Sequence, residues 1–363
     1  MTEYSLHKKA LHPLLHQGKA APPTQTGSAK IPETFEPELI ELIRQQGLAG
    51  HWYELLGKKH KKSASQHDAF DLFKDHVKQS TFLYLDQLKT IHQLHRLFGE
   101  NNISYAVYKG THLREVLYDP PPLRDAADID VLISPLDRRK AVSLLVQEGF
   151  KPYLRQRNIS VEASFSKGQS SIDLHWNILR EQRTKVNVVE SFLSAKNNEK
   201  DFYCLKPEDV LFVMFVHPVF VKYLTTPYAR LSNIVDIYRW IERHEIDWKY
   251  LTDLLKRTHL QTAAWLTATY CELLTSIPLP GELNSKTRPG SLKAAYLTYW
   301  VNHNLSTRFV SLKAIPQLFF TLPAQDTFLD ACGLLFSAFP EAKKSKKIMA
   351  ELEQVIENSG GRS

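Results

Sequence analysis

The sequence predicts an α+β protein: a small mixed-sheet core over residues 101–205, an N-terminal helical segment over 34–100 and a C-terminal helical bundle over 206–363, behind a flexible leader, 1–33. Three observations carry this reading. Apolar residues recur at helical spacing before residue 100 and again after 207. Between Ile103 and Asn177 the pattern switches to alternating strand and helix signals, with the period of two that marks a strand with one buried face. Proline, glycine and polar clusters separate these regions, and no repeat of fixed period is found.

The leader ends in Gly18–Pro32, rich in Pro, Gly, Ser and Thr, a composition suited to a flexible chain. Leu39, Ile40, Leu42 and Ile43, then Trp52, Leu55 and Leu56, space as one helical face. A long amphipathic segment follows from about Ala69 to Phe98. Tyr105–Tyr108 reads as a short strand entering Lys109-Gly110-Thr111, where a helix begins and continues through Leu117. The loop Asp119–Asp125 holds three consecutive prolines, which fix φ and remove backbone donors, so it is not regular structure. Ala127–Ile133 is the clearest strand. Ser134-Pro135 predicts a helix start, with a capping hydroxyl and proline at the first helical position, and Gly149 suits that helix's end. Two further strands, Ile159–Lys167 and Ser171–Asn177, flank Gly168-Gln169 as a hairpin. From Pro207 onward the chain reads as helical, over 207–224, 230–244, 248–259, 261–275 and 291–303, with a mixed last region over 305–358.

Composition narrows the function classes. Of 363 residues, 43% are hydrophobic and 23% charged, so a sizeable core can form. The net charge of +7 fits a phosphate-bearing partner but falls short of a polybasic nucleic-acid binder. Cys204, Cys271 and Cys332 have neither disulfide nor zinc spacing, which favours a reducing compartment. The first residues lack the apolar run of a secretory signal. The longest apolar stretch, Leu211–Leu224, is interrupted by His217, Pro218 and Lys222, so no membrane span is expected. A cytoplasmic location follows as an expectation. The runs Lys58–Lys62 and Lys343–Lys347 read as solvated surface.

The chemistry lies in the strands. Alternation sends Ile129, Val131 and Ile133 to one face and Asp128 and Asp130 to the other, with α-carbons roughly 6.6 Å apart. Two like charges on one face repel unless a cation sits between them, and carboxylate oxygens suit hard divalent cations. In Ile172–Trp176 the same alternation puts Asp173 and His175 opposite Ile172, Leu174 and Trp176. Pairing of these strands would bring Asp173 beside Asp128 and Asp130. Three carboxylates around two metal ions suit in-line displacement at phosphorus. Gly110 lets the backbone approach phosphate at a helix N-terminus, and Lys109 and the Thr111 hydroxyl supply further contacts. Arg124 is read either as a phosphate ligand or as the ion-pair partner of Asp119 or Asp125. His175 on a strand serves as often for a hydrogen-bonded spacer as for a ligand.

The order Tyr108-Lys109-Gly110, Arg124, Asp128-Ile129-Asp130-Val131-Leu132, Gly149-Phe150 and Ile172-Asp173-Leu174-His175-Trp176 resembles the bacterial family of uncharacterised nucleotidyltransferases. The similarity continues through His217, Arg230-Leu231, Asp236 and Asp247-Trp248, over residues 36–275. The resemblance implies a DNA-polymerase-β-like nucleotidyltransferase core, Mg²⁺ (or Mn²⁺) and a nucleoside triphosphate. It makes Asp128, Asp130 and Asp173 the catalytic metal ligands and Gly110 part of the phosphate turn. The wider superfamily has Gly-Ser in that turn and a shorter gap to the acidic pair; here the turn is Gly-Thr and the Asp119–Asp125 loop lengthens the gap.

The expected reaction is transfer of a nucleoside monophosphate to an acceptor, a small molecule rather than a macromolecule, of unassigned identity. A non-catalytic binding member of the fold, and a toxin-type enzyme acting on RNA or protein, are the alternatives. Oligomeric state is not legible.

Overall fold

In a computed structural model, residues 4–15, 30–199, 201–312, 314–336 and 338–360 are described. In chain order, α1 (Ser5–Leu15), α2 (Pro37–Gln45), α3 (Ala49–Gly57) and α4 (Ala64–Glu100) lead into β1 (Tyr105–Tyr108), α5 (Lys109–Leu117) and β2 (Ile129–Ile133). Then come α6 (Arg138–Gln147), β3 (Lys151–Tyr153), β4 (Glu162–Lys167), β5 (Ser170–His175), α7 (Val189–Ser194), β6 (Asn197–Glu199) and β7 (Phe202–Cys204). The remainder is helical: α8 (Pro207–Lys222), α9 (Ser232–Arg243), α10 (Trp248–Thr258), α11 (Gln261–Thr275), α12 (Gly281–Thr287), α13 (Ser291–Asn302), α14 (Leu305–Arg308), α15 (Ala314–Pro316), α16 (Phe328–Phe336) and α17 (Ala338–Asn358). The class is α+β, as the sequence predicts.

The contact pattern divides the chain into two compact units. One comprises Met1–Thr81, Val116–Asp125 and Met214–Asp326; the other, Phe82–Glu115, Ala126–Val213 and Thr327–Ser363. These do not follow consecutive blocks of sequence, because the chain passes between them inside α4, α5 and α8 and at 125/126 and 326/327.

The second unit contains the sheet, ordered β3-β4-β5-β2-β1-β7-β6. Pairing is parallel between β2 and β5 and between β1 and β7, and antiparallel elsewhere, so the sheet is mixed. The period-two pattern does what the sequence requires of it. Val107, Ile129, Val131, Ile133, Phe165, Ile172, Leu174 and Trp176 pack in one buried cluster with Ile91, Leu94 and Phe98 of α4, Val142 and Leu145 of α6, and Leu352 and Ile356 of α17. Each such side chain contributes about 1.5–3 kcal/mol when fully buried. The opposite face of β2 and β5 is thereby left for Asp130, Asp173 and His175. The hairpin expected at Gly168 is present: Lys167 pairs with Ser170, and Gly168 takes φ +63°.

Several expectations are corrected. Residues 5–15 of the presumed leader form a helix with Ala10 and Leu11 fully buried, and Trp52 Nε1 donates to the Ala10 carbonyl at 3.1 Å. The Leu11/Leu15 spacing gave α1 a short apolar face, which the polar stretch after it obscured; residues 16–29 lie outside the described residues. Ser134-Pro135 does not start a helix. Ser134 Oγ accepts the Leu136 N–H at 3.2 Å and donates to Glu190 at 2.6 Å, and the resulting turn delays α6 until Arg138. The strand expected from Ala127 begins at Ile129. The three-residue strands β3, β6 and β7 are too short for alternation to reveal. Among the described residues, no helix is long and apolar enough to cross a membrane.

Candidate functional site

Two rows of side chains cross the polar face of the sheet in the second unit. In the first, Tyr108 of β1 pairs with Asp130 of β2, Asp130 with Asp173 of β5, and Asp173 with Ser164 of β4. In the next, Leu132 pairs with His175, and His175 with Glu162. The parallel register of β2 and β5 is therefore what brings the acids together. One ligand atom each from Asp130, Asp173 and His175 lies within 4.8 Å of the others, a group able to hold a metal ion.

Asp130 and His175 are buried, and Asp173 is half-buried. His175 Nε2 stands 2.9 Å from Asp130 Oδ1, and its Nδ1 stands 3.2 Å from Glu162 Oε2 without the alignment of a hydrogen bond. Ser164 Oγ donates to Asp173 Oδ1 at 2.6 Å. The Tyr108 ring meets His175 edge-on, with centroids 5.4 Å apart.

Lys109 completes the cluster. It adopts φ +55°, a left-handed conformation that costs a non-glycine residue roughly 1–2 kcal/mol. Its ammonium donates to Asp130 Oδ1 at 2.7 Å, stands 3.4 Å from His175 Nε2 and lies over the Tyr108 ring, 4.9 Å from its centroid. Burial disfavours the charged form, yet the Asp130 carboxylate, with Tyr108 and Glu162 behind it, outweighs burial and holds the Lys109 pKa above its ordinary value. A tethered cation is thus already held by Asp130 Oδ1 beside His175 Nε2. The donor set fits a divalent ion: carboxylates suit Mg²⁺ and Mn²⁺, and an imidazole nitrogen tilts the preference toward Mn²⁺ and later transition metals.

The chain belongs to the family of uncharacterised nucleotidyltransferases. The family's sequence profile matches residues 32–276, two-thirds of the chain, with bounds close to those of the sequence resemblance. No match is found among curated proteins.

In this family member, burial is the largest influence on the acid–imidazole pair. It raises the Asp173 pKa; the Ser164 hydrogen bond opposes it, and the Asp128 and Asp130 charges add to it. Burial also lowers the His175 pKa, and Lys109 lowers it further, to about 4 despite the opposing carboxylates of Glu162 and Asp173. His175 is therefore neutral near pH 7, the form in which imidazole ligates metals.

Of the expected Asp128, Asp130 and Asp173, the last two lie in the group of converging ligand atoms, together with His175. Asp128 is half-buried just before β2, near enough to influence Asp173 but outside the group of converging ligand atoms. Strand alternation does not reach it, because β2 begins at Ile129. Gly110 lies in the first turn of α5, as expected. Thr111 is fully buried, and among the described residues no hydrogen-bond partner is found for its hydroxyl.

Arg124 belongs to the first unit and has a partner the sequence did not disclose. Its Nη2 and Nε donate to Asp236 Oδ2 at 2.8 and 3.2 Å, and Tyr118 donates to Asp236 Oδ1 at 2.6 Å. His51 Nε2 adjoins the Tyr118 hydroxyl at 3.0 Å. Asp236 is fully buried, so this guanidinium neutralises an interior carboxylate. Of the expected contact with Asp125, what is found is a hydrogen bond from Nη1 to its backbone carbonyl.

Glu162 and Ser164 were missed. Their signal was present in β4, where Ala163 and Phe165 turn to the core and Glu162 and Ser164 to the other face. Only the register with β5 makes them neighbours of His175 and Asp173.

Proposed function

We propose that this protein is a divalent-metal-dependent nucleotidyltransferase that moves a nucleoside monophosphate from a nucleoside triphosphate to an acceptor hydroxyl or phosphate. An acceptor oxygen attacks the α-phosphorus, the bond to the bridging oxygen breaks, and pyrophosphate leaves. The observation that carries the reading is the convergence of Asp130, Asp173 and His175 on the polar face of a parallel strand pair. Family membership supports the reaction class.

Asp130, Asp173 and His175 would hold Mg²⁺ or Mn²⁺, with Asp128 adding negative charge at the edge of the site. Bound there, the metal would supply Lewis-acid stabilisation of phosphate charge and acidify the acceptor hydroxyl. Lys109 is the cation placed to exchange its contact with Asp130 for a triphosphate oxygen. Gly110, at the start of α5, offers a backbone amide near a helix N-terminus. Asp173, whose Oδ1 accepts from Ser164 Oγ, would also receive the acceptor's proton. A small-molecule acceptor and a cytoplasmic setting complete the proposal.

The test is incubation with triphosphates labelled at the α- or the γ-phosphate, Mg²⁺ or Mn²⁺ and a metabolite extract. The proposal expects α-label to enter a new species, γ-label to leave as pyrophosphate, and both to depend on Asp130. Transfer of the γ-label to the acceptor would show a kinase instead.

A further inference from the structure

We propose that Glu162 is a positioning residue for the metal site: its carboxylate accepts a hydrogen bond from the Nδ1–H of His175, keeps the ring proton on Nδ1 and so leaves Nε2 as the ligating nitrogen. The inference rests on the metal-site reading above and extends it to a residue that neither the family resemblance nor the ligand geometry singles out.

Four observations lead to it. Glu162 and His175 are cross-strand partners in the antiparallel β4–β5 pair, so both side chains leave the same face of the sheet. Glu162 Oε2 stands 3.2 Å from His175 Nδ1, while Asn158 Nδ2 donates to the other oxygen, Oε1, at 2.8 Å. One carboxylate oxygen is thus anchored, and the other lies at hydrogen-bond distance from Nδ1, lacking only the alignment that a bond needs. His175 is 2% exposed, so solvent does not readily take the place of that acceptor. The Tyr108 ring, edge-on to the imidazole at an interplanar angle of 81°, restricts its rotation.

The chemistry follows. A neutral imidazole carries one proton, and a metal ion needs the nitrogen that lacks it. Nε2 is the nitrogen that stands beside Asp130, whose Oδ1 competes for a proton on it at 2.9 Å. A negative charge at Nδ1 shifts the proton away from Asp130 and toward Glu162. It also raises the basicity of Nε2 as a ligand, the effect that partners of metal-bound histidines commonly exert.

Mn²⁺ binding to the full chain, followed by electron paramagnetic resonance, tests this. Electron spin-echo detection of nitrogen coupling to the bound ion reads His175 ligation directly. The wild type should bind Mn²⁺ with a nitrogen coupling that His175→Phe removes. Glu162→Gln, which keeps size and a hydrogen-bonding group for Asn158, should weaken Mn²⁺ binding about 10- to 100-fold and diminish that coupling. Glu162→Asp should restore part of both. Wild-type affinity and coupling in both Glu162→Gln and Glu162→Ala would overturn the proposal. So would Mn²⁺ binding that needs Asp130 but shows no nitrogen coupling, which would leave a carboxylate-only site standing. Undiminished binding by Asp130→Ala would instead refute the metal site itself.

Discussion

At the scale of single residues, the same interaction does different work in two places. Lys109 pairs with Asp130 in the candidate site, and Arg124 pairs with Asp236 in the interior of the first unit. The lysine is a point charge on a flexible stem, proposed above to exchange its carboxylate for a phosphate; the arginine is a planar fork whose partner is fully buried. Arg124→Ala should therefore cost about 3–5 kcal/mol in denaturant unfolding, because it strands the Asp236 carboxylate. Nucleotide binding lost with stability intact would return Arg124 to the phosphate role the sequence suggested. Its neighbour His51 sets a pH dependence. Burial, then the Arg239 and Arg124 charges, hold its pKa well below 6.5, and its Nδ1 has no hydrogen-bond partner among the described residues. The unfolded chain takes up this proton first, so the contribution is fully present above pH 6.5 and is lost as pH falls below it. Thermal melts from pH 7.5 to 5 should show the decline, and His51→Gln should flatten it. An identical slope in that variant would remove His51 as its source.

Among elements, what was legible depended on length and on partners. β1, α5, the central strand β2 and the β4–β5 hairpin could be read because each carries several alternations or a turn signal within its own segment. Asp130 and Asp173 emerged from that alternation and acquired their meaning when β2 and β5 paired in parallel. Glu162 could not be read in the same way, since its significance lies in a register between two strands. Asp236 is 112 residues from Arg124, so no local pattern linked them. The loop that carries Arg124 is also held by an element: α3 packs on it, and a Cβ at Gly50 would lie 2.0 Å from the Leu123 carbonyl oxygen. That atom is backbone and cannot rotate away. Gly50→Ala should therefore destabilise by about 1–3 kcal/mol or more through overpacking, as a lowered midpoint in urea. An unchanged midpoint would mean that α3 and the loop separate at little cost.

For the whole molecule, sequence order and compact units diverge. The chain changes unit within α4, α5 and α8 and again at 125/126 and 326/327, and no local pattern in the sequence marks such exchanges. The α+β class survived this because it depends on periodicity alone. The basic excess of +7 suits a phosphate-bearing substrate without naming one. Imidazole beside two carboxylates further predicts that Mn²⁺ binds more tightly than Mg²⁺. Calorimetric competition checks this, and a preference for Mg²⁺ would argue for oxygen ligands alone. The most direct test of the account is calorimetric titration of Mn²⁺ into the metal-free protein and into Asp130→Ala. Saturable binding by the wild type and none by the variant is the expected result. Equal binding by both would contradict a metal centre built on the paired strands.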